Sequence, residues 1–171
     1  MGFNWSAFVV RAEDEAALAR VIEADPKAIA LPGGYARLRW DSTPDWTRSG
    51  GTIPWSTRFG EAWMFCAASA SDVFAYEHGK DGAVLRSLGY DGSEGWAVIE
   101  GTPEPWEKVL FSERQLADCR QAAEDEPDEP RWEREIEAME SGRLVVGHRF
   151  PQASSDLVIL VARTLGTELV R

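Results

Sequence analysis

Residues 63–100, WMFCAASASDVFAYEHGKDGAVLRSLGYDGSEGWAVIE, alternate between short apolar runs and short stretches of turn-forming residues. This pattern predicts consecutive β-strands, because strands are short and Gly, Asp and Ser favour the turns between them. The predicted strands are Trp63 to Ala68, Val73 to His78, Ala83 to Tyr90 and Trp96 to Glu100. Between the second and third, Gly79-Lys80-Asp81-Gly82 is a strong hairpin signal. Successive strands joined by tight turns favour an antiparallel meander.

Three more elements are predicted before this meander. Phe3 to Val10 and Tyr35 to Trp40 alternate between apolar and polar positions as strands do. Glu13 to Ala24 carries an apolar stripe at helical spacing, has acidic residues in its first turn, and is followed by Pro26. The amino-terminal part therefore supplies two strands and one helix.

Helical patterns dominate after residue 103. Two helices are predicted from apolar stripes, one through Cys119 and one through Ile136, with the proline-containing stretch 124–130 between them. Leu144 to Phe150 is a predicted strand. Leu157 to Leu165 is apolar on all sides, and its polar cap and following glycine favour a helix over a buried strand.

The predicted fold is therefore α+β, with an antiparallel meander sheet of about five to six strands and three to four helices packed mainly on one face. A length of 171 residues fits a single domain over residues 1–171. Within it, residues 1–103 are expected to be mostly sheet with one amino-terminal helix, and residues 104–171 mostly helical.

The segment DSTPDWTRSGGTIPWSTRFGE, residues 41–61, is predicted to be a long irregular connection, and such connections often carry function. Tryptophan and arginine dominate the energetics of protein interfaces. The predicted partner-binding residues of this segment are Trp46, Arg48, Trp55 and Arg58. An equally weighted alternative is that its tryptophans fold back over the edge of the core.

The charge of the chain is unevenly distributed. The 29 acidic and 18 basic residues give a net charge of −11. Residues 104–140 hold 13 of the acidic and 5 of the basic residues, a net −8. The centre of this region supplies a second set of predicted partner-binding residues: Glu124, Asp125, Glu126, Asp128 and Glu129. This field disfavours nucleic acid and membranes and favours a basic protein partner, although a solvated acidic surface has the same pattern.

No catalytic or metal-binding motif is present in the sequence. The two histidines, His78 and His148, and the two cysteines, Cys66 and Cys119, lack the spacing of a metal site or a nucleophile with its base. The cysteines are expected to be small buried side chains in a reducing cytoplasm. We therefore expect no metal, no cofactor and no catalytic residue, and the sequence favours a binding role over an enzymatic one.

One segment resembles a pattern in small bacterial α+β proteins. It comprises Arg86-x-Leu88-x-Tyr90, Gly95-Trp96 and Glu100-Gly101-x-Pro103-Glu104-Pro105-Trp106-Glu107. Proteins of this general appearance resemble the immunity proteins that accompany polymorphic toxins. The resemblance covers about 30 residues and implies a toxin-neutralising or similar binding role, without assigning any functional residue. Trp96 and Trp106 are expected to pack on each other or on the sheet.

Together these features predict a cytoplasmic protein-binding module, most plausibly an immunity-type inhibitor of a basic toxin or effector. One alternative is a small-molecule-binding protein or hydrolytic enzyme, in which residues 41–61 form a lid over a pocket. Another is a structural subunit of a bacterial assembly.

Overall fold

The computed structural model describes residues 4–39, 45, 47–68, 70–107, 113–145, 161 and 163. The strands are β1 (Asn4–Arg11), β2 (Ile29–Leu31), β3 (Tyr35–Leu38), β4 (Glu61–Ala68), β5 (Val73–Lys80), β6 (Ala83–Asp91) and β7 (Gly95–Gly101). The helices in the described residues are α1 (Glu15–Ala24), α2 (Ile53–Phe59), α3 (Glu113–Asp125) and α4 (Pro130–Glu140).

These strands form one antiparallel sheet in the order β2-β3-β1-β4-β5-β6-β7. The α+β class and the meander β4 to β7 are confirmed. The hairpin between β5 and β6 closes through Asp81 and Gly82, whose φ angles are 49° and 79°, while Lys80 pairs with Ala83. A two-residue turn with two positive φ angles matches the right-handed twist of the paired strands.

The sheet has seven strands, more than the five to six expected. The strand absent from the sequence prediction is β2, which pairs with β3 at one edge of the sheet. Its three residues, Ile29 to Leu31, are too few to show an alternating pattern. Only the tertiary pairing identifies this segment as a strand.

The helices cover both faces of the sheet, whereas the sequence suggested mainly one. We call the face that carries Val9, Trp63 and Tyr76 the front face, and the face that carries Phe8 and Met64 the back face. Residues of α3 and α4 join the front core, and residues of α1 and α2 join the back core. Both faces need cover because consecutive residues of the central strand β4 are buried from Ala62 to Ala67.

The prediction of one long irregular connection over residues 41–61 is wrong for its second half. Residues 53–59 form helix α2, which has a proline in its first turn and ends before Gly60. The helix is short, so its hydrophobic period is hard to recognise, and the neighbouring Ser, Thr and Gly residues suggested a loop. Residues 40–44 and Trp46 lie outside the described residues.

Two predictions near the carboxyl terminus fall largely outside the described residues. Leu144 and Val145 are described and are not in a strand, whereas residues 146–150 lie outside. Val161 and Arg163 are helical, and Val161 is buried in the front core. The predictions for residues 144–150 and 157–165 otherwise stay untested.

Candidate functional site

Arg48 and Arg58 of the first predicted surface are both exposed. The Arg48 guanidinium lies 3.4 Å from Asp45, and its side chain is 83% exposed. The Arg58 guanidinium lies 5.4 Å from the centre of the Phe59 ring. Trp46, the predicted partner-binding residue two positions before Arg48, lies outside the described residues. These two cations are therefore accessible to a partner.

The Trp55 side chain packs against the core on the back face. Its ring stacks on Phe59 at a centroid distance of 6.3 Å and packs on Phe8 at 6.1 Å. It belongs to the layer that α2 places over the sheet. A half-buried indole in these contacts has already buried part of the surface that it could otherwise bury against a partner. For Trp55, the structure agrees with the alternative in which the tryptophans of this segment fold back onto the core.

The second predicted surface consists of the last two residues of α3 and the turn that leads from it to α4, which together we call the acidic turn. All five of its carboxylate side chains are exposed: Glu124, Asp125, Glu126, Asp128 and Glu129. Glu126 accepts a hydrogen bond from Trp132 Nε1 at 3.0 Å and lies 3.7 Å from the Arg131 guanidinium. Arg131 in turn donates to the carbonyl of Ser93 at 3.1 Å. The turn is thereby held against the connection between β6 and β7.

Among the described residues, Trp55 and Arg58 of the first predicted surface belong to a helix on one face of the sheet, and the acidic turn joins two helices on the other face. Helix α2 packs on the back face, and α4 packs on the front face. A partner with a single flat interface cannot contact both Arg58 and the acidic turn without wrapping around an edge of the sheet. The described residues of the two predicted sets therefore do not form one continuous surface on a single face of the sheet.

The front face also carries a buried polar network centred on Glu104, which the sequence analysis did not single out. One oxygen of Glu104 contacts His78 Nδ1 at 2.5 Å. The other accepts hydrogen bonds from the Tyr76 hydroxyl at 2.5 Å and from Trp106 Nε1 at 2.8 Å. This carboxylate therefore fastens the connection that follows β7 onto strand β5.

His78 lies between two carboxylates and on an aromatic surface. Its Nε2 atom lies 3.1 Å from Glu61, opposite the Nδ1 contact to Glu104. The ring stacks on Trp63 at a centroid distance of 4.8 Å. Burial lowers the pKa of His78, but the hydrogen bonds and charges of Glu104 and Glu61 outweigh it, and the pKa is raised. With carboxylates at both ring nitrogens, the imidazolium is stabilised and neither nitrogen is open to act as a base.

The pKa of Glu104 shifts in the opposite direction, below its ordinary value. Burial alone would raise its pKa, but the hydrogen bonds from His78 and Tyr76 and the charge of His78 lower it. Both shifts favour the charged forms of the pair, an imidazolium and a carboxylate. These contacts hold the chain that follows β7 against strand β5.

A second front-face pair, Arg86 and Glu107, is completely buried. Nε and Nη2 of Arg86 lie 2.9 and 2.6 Å from the two carboxylate oxygens of Glu107. The same guanidinium donates to the backbone carbonyls of Glu100, Gly101 and Arg143 at 2.8–3.2 Å. All five N–H groups of an arginine can be used in this way. Arg86 thereby joins β6, β7 and the chain that follows α4.

The back face holds its own buried carboxylate, Glu77. It accepts hydrogen bonds from the backbone N–H groups of Gly50 and Thr52 at 2.7 and 2.6 Å, and from the Thr52 hydroxyl at 2.6 Å. The Ser87 hydroxyl donates to it at 3.3 Å. Glu77 therefore fixes the start of α2 on the sheet. In the segment 41–61, which one alternative treats as a lid, Gly50 and Thr52 are therefore hydrogen-bonded to the sheet. Trp55 of the same segment packs on the core.

Both cysteines are buried and free, as expected. Burial raises the pKa of Cys66. Burial and the neighbouring Glu135 carboxylate raise the pKa of Cys119 to about 12, and its thiol donates to Glu135 at 3.4 Å. Both sulfurs are thus protonated thiols at neutral pH, and a thiol is a poor nucleophile.

The sequence offered a partial signal for the polar network. Tyr76 and His78 are two positions apart on a predicted strand, so alternation places both on one face. Glu104 and Glu107 lie in the GTPEPWE stretch, which suggested a structural turn. Trp106 packs edge-to-face on Tyr76 at 4.9 Å, and Trp96 on Tyr90 at 5.2 Å, so both tryptophans pack on the sheet as expected.

No protein-family model matches the chain, and no curated protein or solved structure shows significant similarity to it. Among the described residues, no group of three or more His, Cys, Asp or Glu side chains could hold a metal ion. None of the helices in that part of the chain is long and apolar enough to cross a membrane.

Proposed function

We propose that this protein is a cytoplasmic protein-binding module whose acidic turn docks on a basic partner, as an immunity-type inhibitor docks on a toxin or effector. One observation carries the proposal: the five carboxylates of the acidic turn are all exposed, and the turn is held through Glu126 by Trp132 and through Arg131 by Ser93. The free state of both cysteines fits a reducing compartment.

The contacts that hold the acidic turn in place favour a role in binding a partner over that of a merely solvated acidic surface. Helices α3 and α4 pack together, and Arg120 and Glu140 form an ion pair across them at 2.6 Å. A preorganised set of charges loses little conformational entropy on binding. Because the net charge of the whole chain is −11, its field also steers a cationic partner towards this surface.

The geometry favours the acidic turn over the Trp/Arg segment as the main contact. Interfaces take most of their energy from aromatic and arginine side chains that become buried on binding. Trp55 already packs on Phe8 and Phe59, so the described part of this segment offers Arg48 and Arg58 without a free tryptophan. We place these arginines at most at the rim of an interface.

The test begins with the full chain immobilised and exposed to extract of its own cells. A captured basic protein is identified, expressed separately and titrated against the wild type and two triple variants. Glu124→Gln, Asp128→Asn and Glu129→Gln together remove three charges from the acidic turn and spare Glu126, which supports the turn itself. The matched control, Glu15→Gln, Glu23→Gln and Glu100→Gln, removes three exposed carboxylates elsewhere.

We expect the acidic-turn variant to bind at least about tenfold more weakly, mainly through slower association, and the control to bind as the wild type does. The difference should shrink as salt is added. Equal affinities of the two variants for the partner would overturn the proposal, as would the absence of any basic protein among the captured species.

A further inference from the structure

A cleft of about 500 Å³ opens at the end of the sheet where β1 and β2 begin and β3 ends. It is separate from both surfaces discussed above. The residues that line it are Trp5, Ser6, Lys27, Ile29, Arg37, Leu38 and Arg39. Its volume lies within the range of small-molecule sites, about 300–1,000 Å³.

The cleft is positively charged on a strongly acidic protein. Lys27, Arg37 and Arg39 all line it, although the chain as a whole has a net charge of −11. Asp25 sits beside them, and its two oxygens accept the backbone N–H groups of Lys27 at 3.0 Å and Arg39 at 2.7 Å. These bonds hold the backbone of two cationic residues together, which concentrates positive charge where three segments meet.

The two arginines also interact with other groups of the protein. An arginine guanidinium carries five N–H donors in a planar fork. Planar guanidinium groups match carboxylates and phosphates because they can donate two parallel hydrogen bonds. The chemistry of the lining therefore suits an anionic group.

The remaining lining is apolar and partly open. Ile29 is 50% exposed, so half of its side chain is available to contact a ligand. Trp5 is half-buried, with its ring centroid 6.5 Å from that of Phe65. A ligand that covered these side chains would gain the free energy of burying apolar surface in addition to its ionic contacts.

We propose that this cleft binds a small organic anion, in which a carboxylate or phosphate contacts Lys27, Arg37 and Arg39 and an apolar group packs on Trp5 and Ile29. The site shares no residue with the acidic turn. Partner binding and anion binding can therefore fail independently.

The test is an NMR titration of the ¹⁵N-labelled full chain with three probes. Phenyl phosphate carries both features, inorganic phosphate carries only the charge, and benzylamine carries the ring with the opposite charge. We expect saturable shifts for phenyl phosphate at the amides of residues 5, 6, 27–29 and 37–39. Inorganic phosphate should bind more weakly because it lacks the apolar contact, and benzylamine should leave these amides unshifted because the cleft repels cations.

Variants of the cationic residues then test which side chains contact the ligand. Lys27→Gln with Arg39→Gln changes two exposed residues outside the strands, so the fold is retained, and we expect phenyl phosphate to bind at least about tenfold more weakly. Arg20→Gln with Arg134→Gln removes the same charge from two exposed helical positions and should leave the affinity unchanged. Arg37→Gln provides a second variant within β3.

Three results would overturn the proposal. The first is the absence of saturable shifts with phenyl phosphate up to about 10 mM, a concentration that detects even very weak sites. The second is equal affinity of the wild type and the Lys27→Gln/Arg39→Gln variant. The third is equal affinity for phenyl phosphate and inorganic phosphate, which would leave no role for the apolar walls.

Discussion

The imidazole Nδ1 atom of His78 lies 2.5 Å from Oε1 of Glu104, a residue 26 positions further along the chain. The contact joins the middle of the sheet to the connection that leads from β7 towards the helices. Tyr76 and Trp106 donate to the other oxygen of Glu104, so four side chains share this junction. These polar contacts on the front face thus hold the chain at the point where it leaves the sheet after β7.

The His78–Glu104 pair should make the stability of the protein depend on pH. The raised pKa of His78 contributes stability that is complete below its ordinary value of 6.5 and is lost as the pH rises through the raised value. The lowered pKa of Glu104 contributes stability that is complete above its ordinary value of 4.5 and is lost as the pH falls through the lowered value. Both contributions are therefore complete between about pH 4.5 and 6.5.

Urea unfolding of the wild type and of His78→Gln, measured from well below pH 4.5 to well above pH 6.5, tests that expectation. The difference in the free energy of unfolding should be largest between the two ordinary pKa values and should shrink on both sides. Glu94→Gln, an exposed carboxylate change, should give a small difference at every pH. A His78→Gln difference that stays constant with pH would contradict the ionic account of the pair.

The meander was predictable from sequence because its strands are long enough to alternate and its turns contain Gly and Asp. Asp81-Gly82 fixes a hairpin register that the structure retains, with Lys80 opposite Ala83. By contrast, Ile29 to Leu31 is a strand only because β3 lies beside it. Helix α2 was missed because it is only seven residues long.

The buried pair of Arg86 and Glu107 should show strong thermodynamic coupling. Removing either partner leaves the other charged and buried, which costs about 3–5 kcal/mol. Arg86→Met and Glu107→Leu together leave no unpaired charge, so the double variant should lose less stability than the sum of the two single variants. Equilibrium urea unfolding of the four proteins measures this coupling.

The exposed pair of Arg120 and Glu140 is the natural control for that cycle, because both side chains are more than half exposed. Its coupling should be below about 1 kcal/mol, since solvent screens exposed charges. Additive effects at Arg86 and Glu107 would show that the two charges do not stabilise each other.

Two glycines with the same backbone geometry offer a matched comparison of packing. Gly95 and Gly142 have φ angles of 78° and 73°, which strain any residue with a Cβ atom. A Cβ at Gly95 would lie 2.7 Å from Oε1 of Glu135, whereas one at Gly142 would meet nothing within 4 Å. Gly95→Ala should therefore destabilise the protein by at least about 1 kcal/mol more than Gly142→Ala in thermal or urea unfolding. Equal losses would show that Glu135 moves aside without cost.

The sequence identified the types of residue on the candidate surfaces, but it did not show how those residues are arranged in space. Five acidic residues within six positions suggested exposure, and all are exposed. The sequence could not show that Trp55 packs on Phe8, because that contact joins segments 47 positions apart. Nor could it show that Asp25 brings Lys27 and Arg39 together, since the Asp25–Lys27 contact is local but the Asp25–Arg39 contact depends on how the end of α1 meets the end of β3.

The last prediction concerns Glu77, which holds the start of α2 through Gly50 and Thr52. In Glu77→Gln, the amide nitrogen would face N–H groups that need an acceptor, so part of this anchoring is lost. We expect hydrogen exchange of residues 50–59 to become at least about tenfold faster, while the amides shared by β5 and β6 stay protected. Glu100→Gln is the matched control, because Glu100 pairs with Ser87 in the same row of the sheet but is exposed. Unchanged exchange over residues 50–59, or a uniform increase over the whole sheet, would contradict a local anchoring role for Glu77.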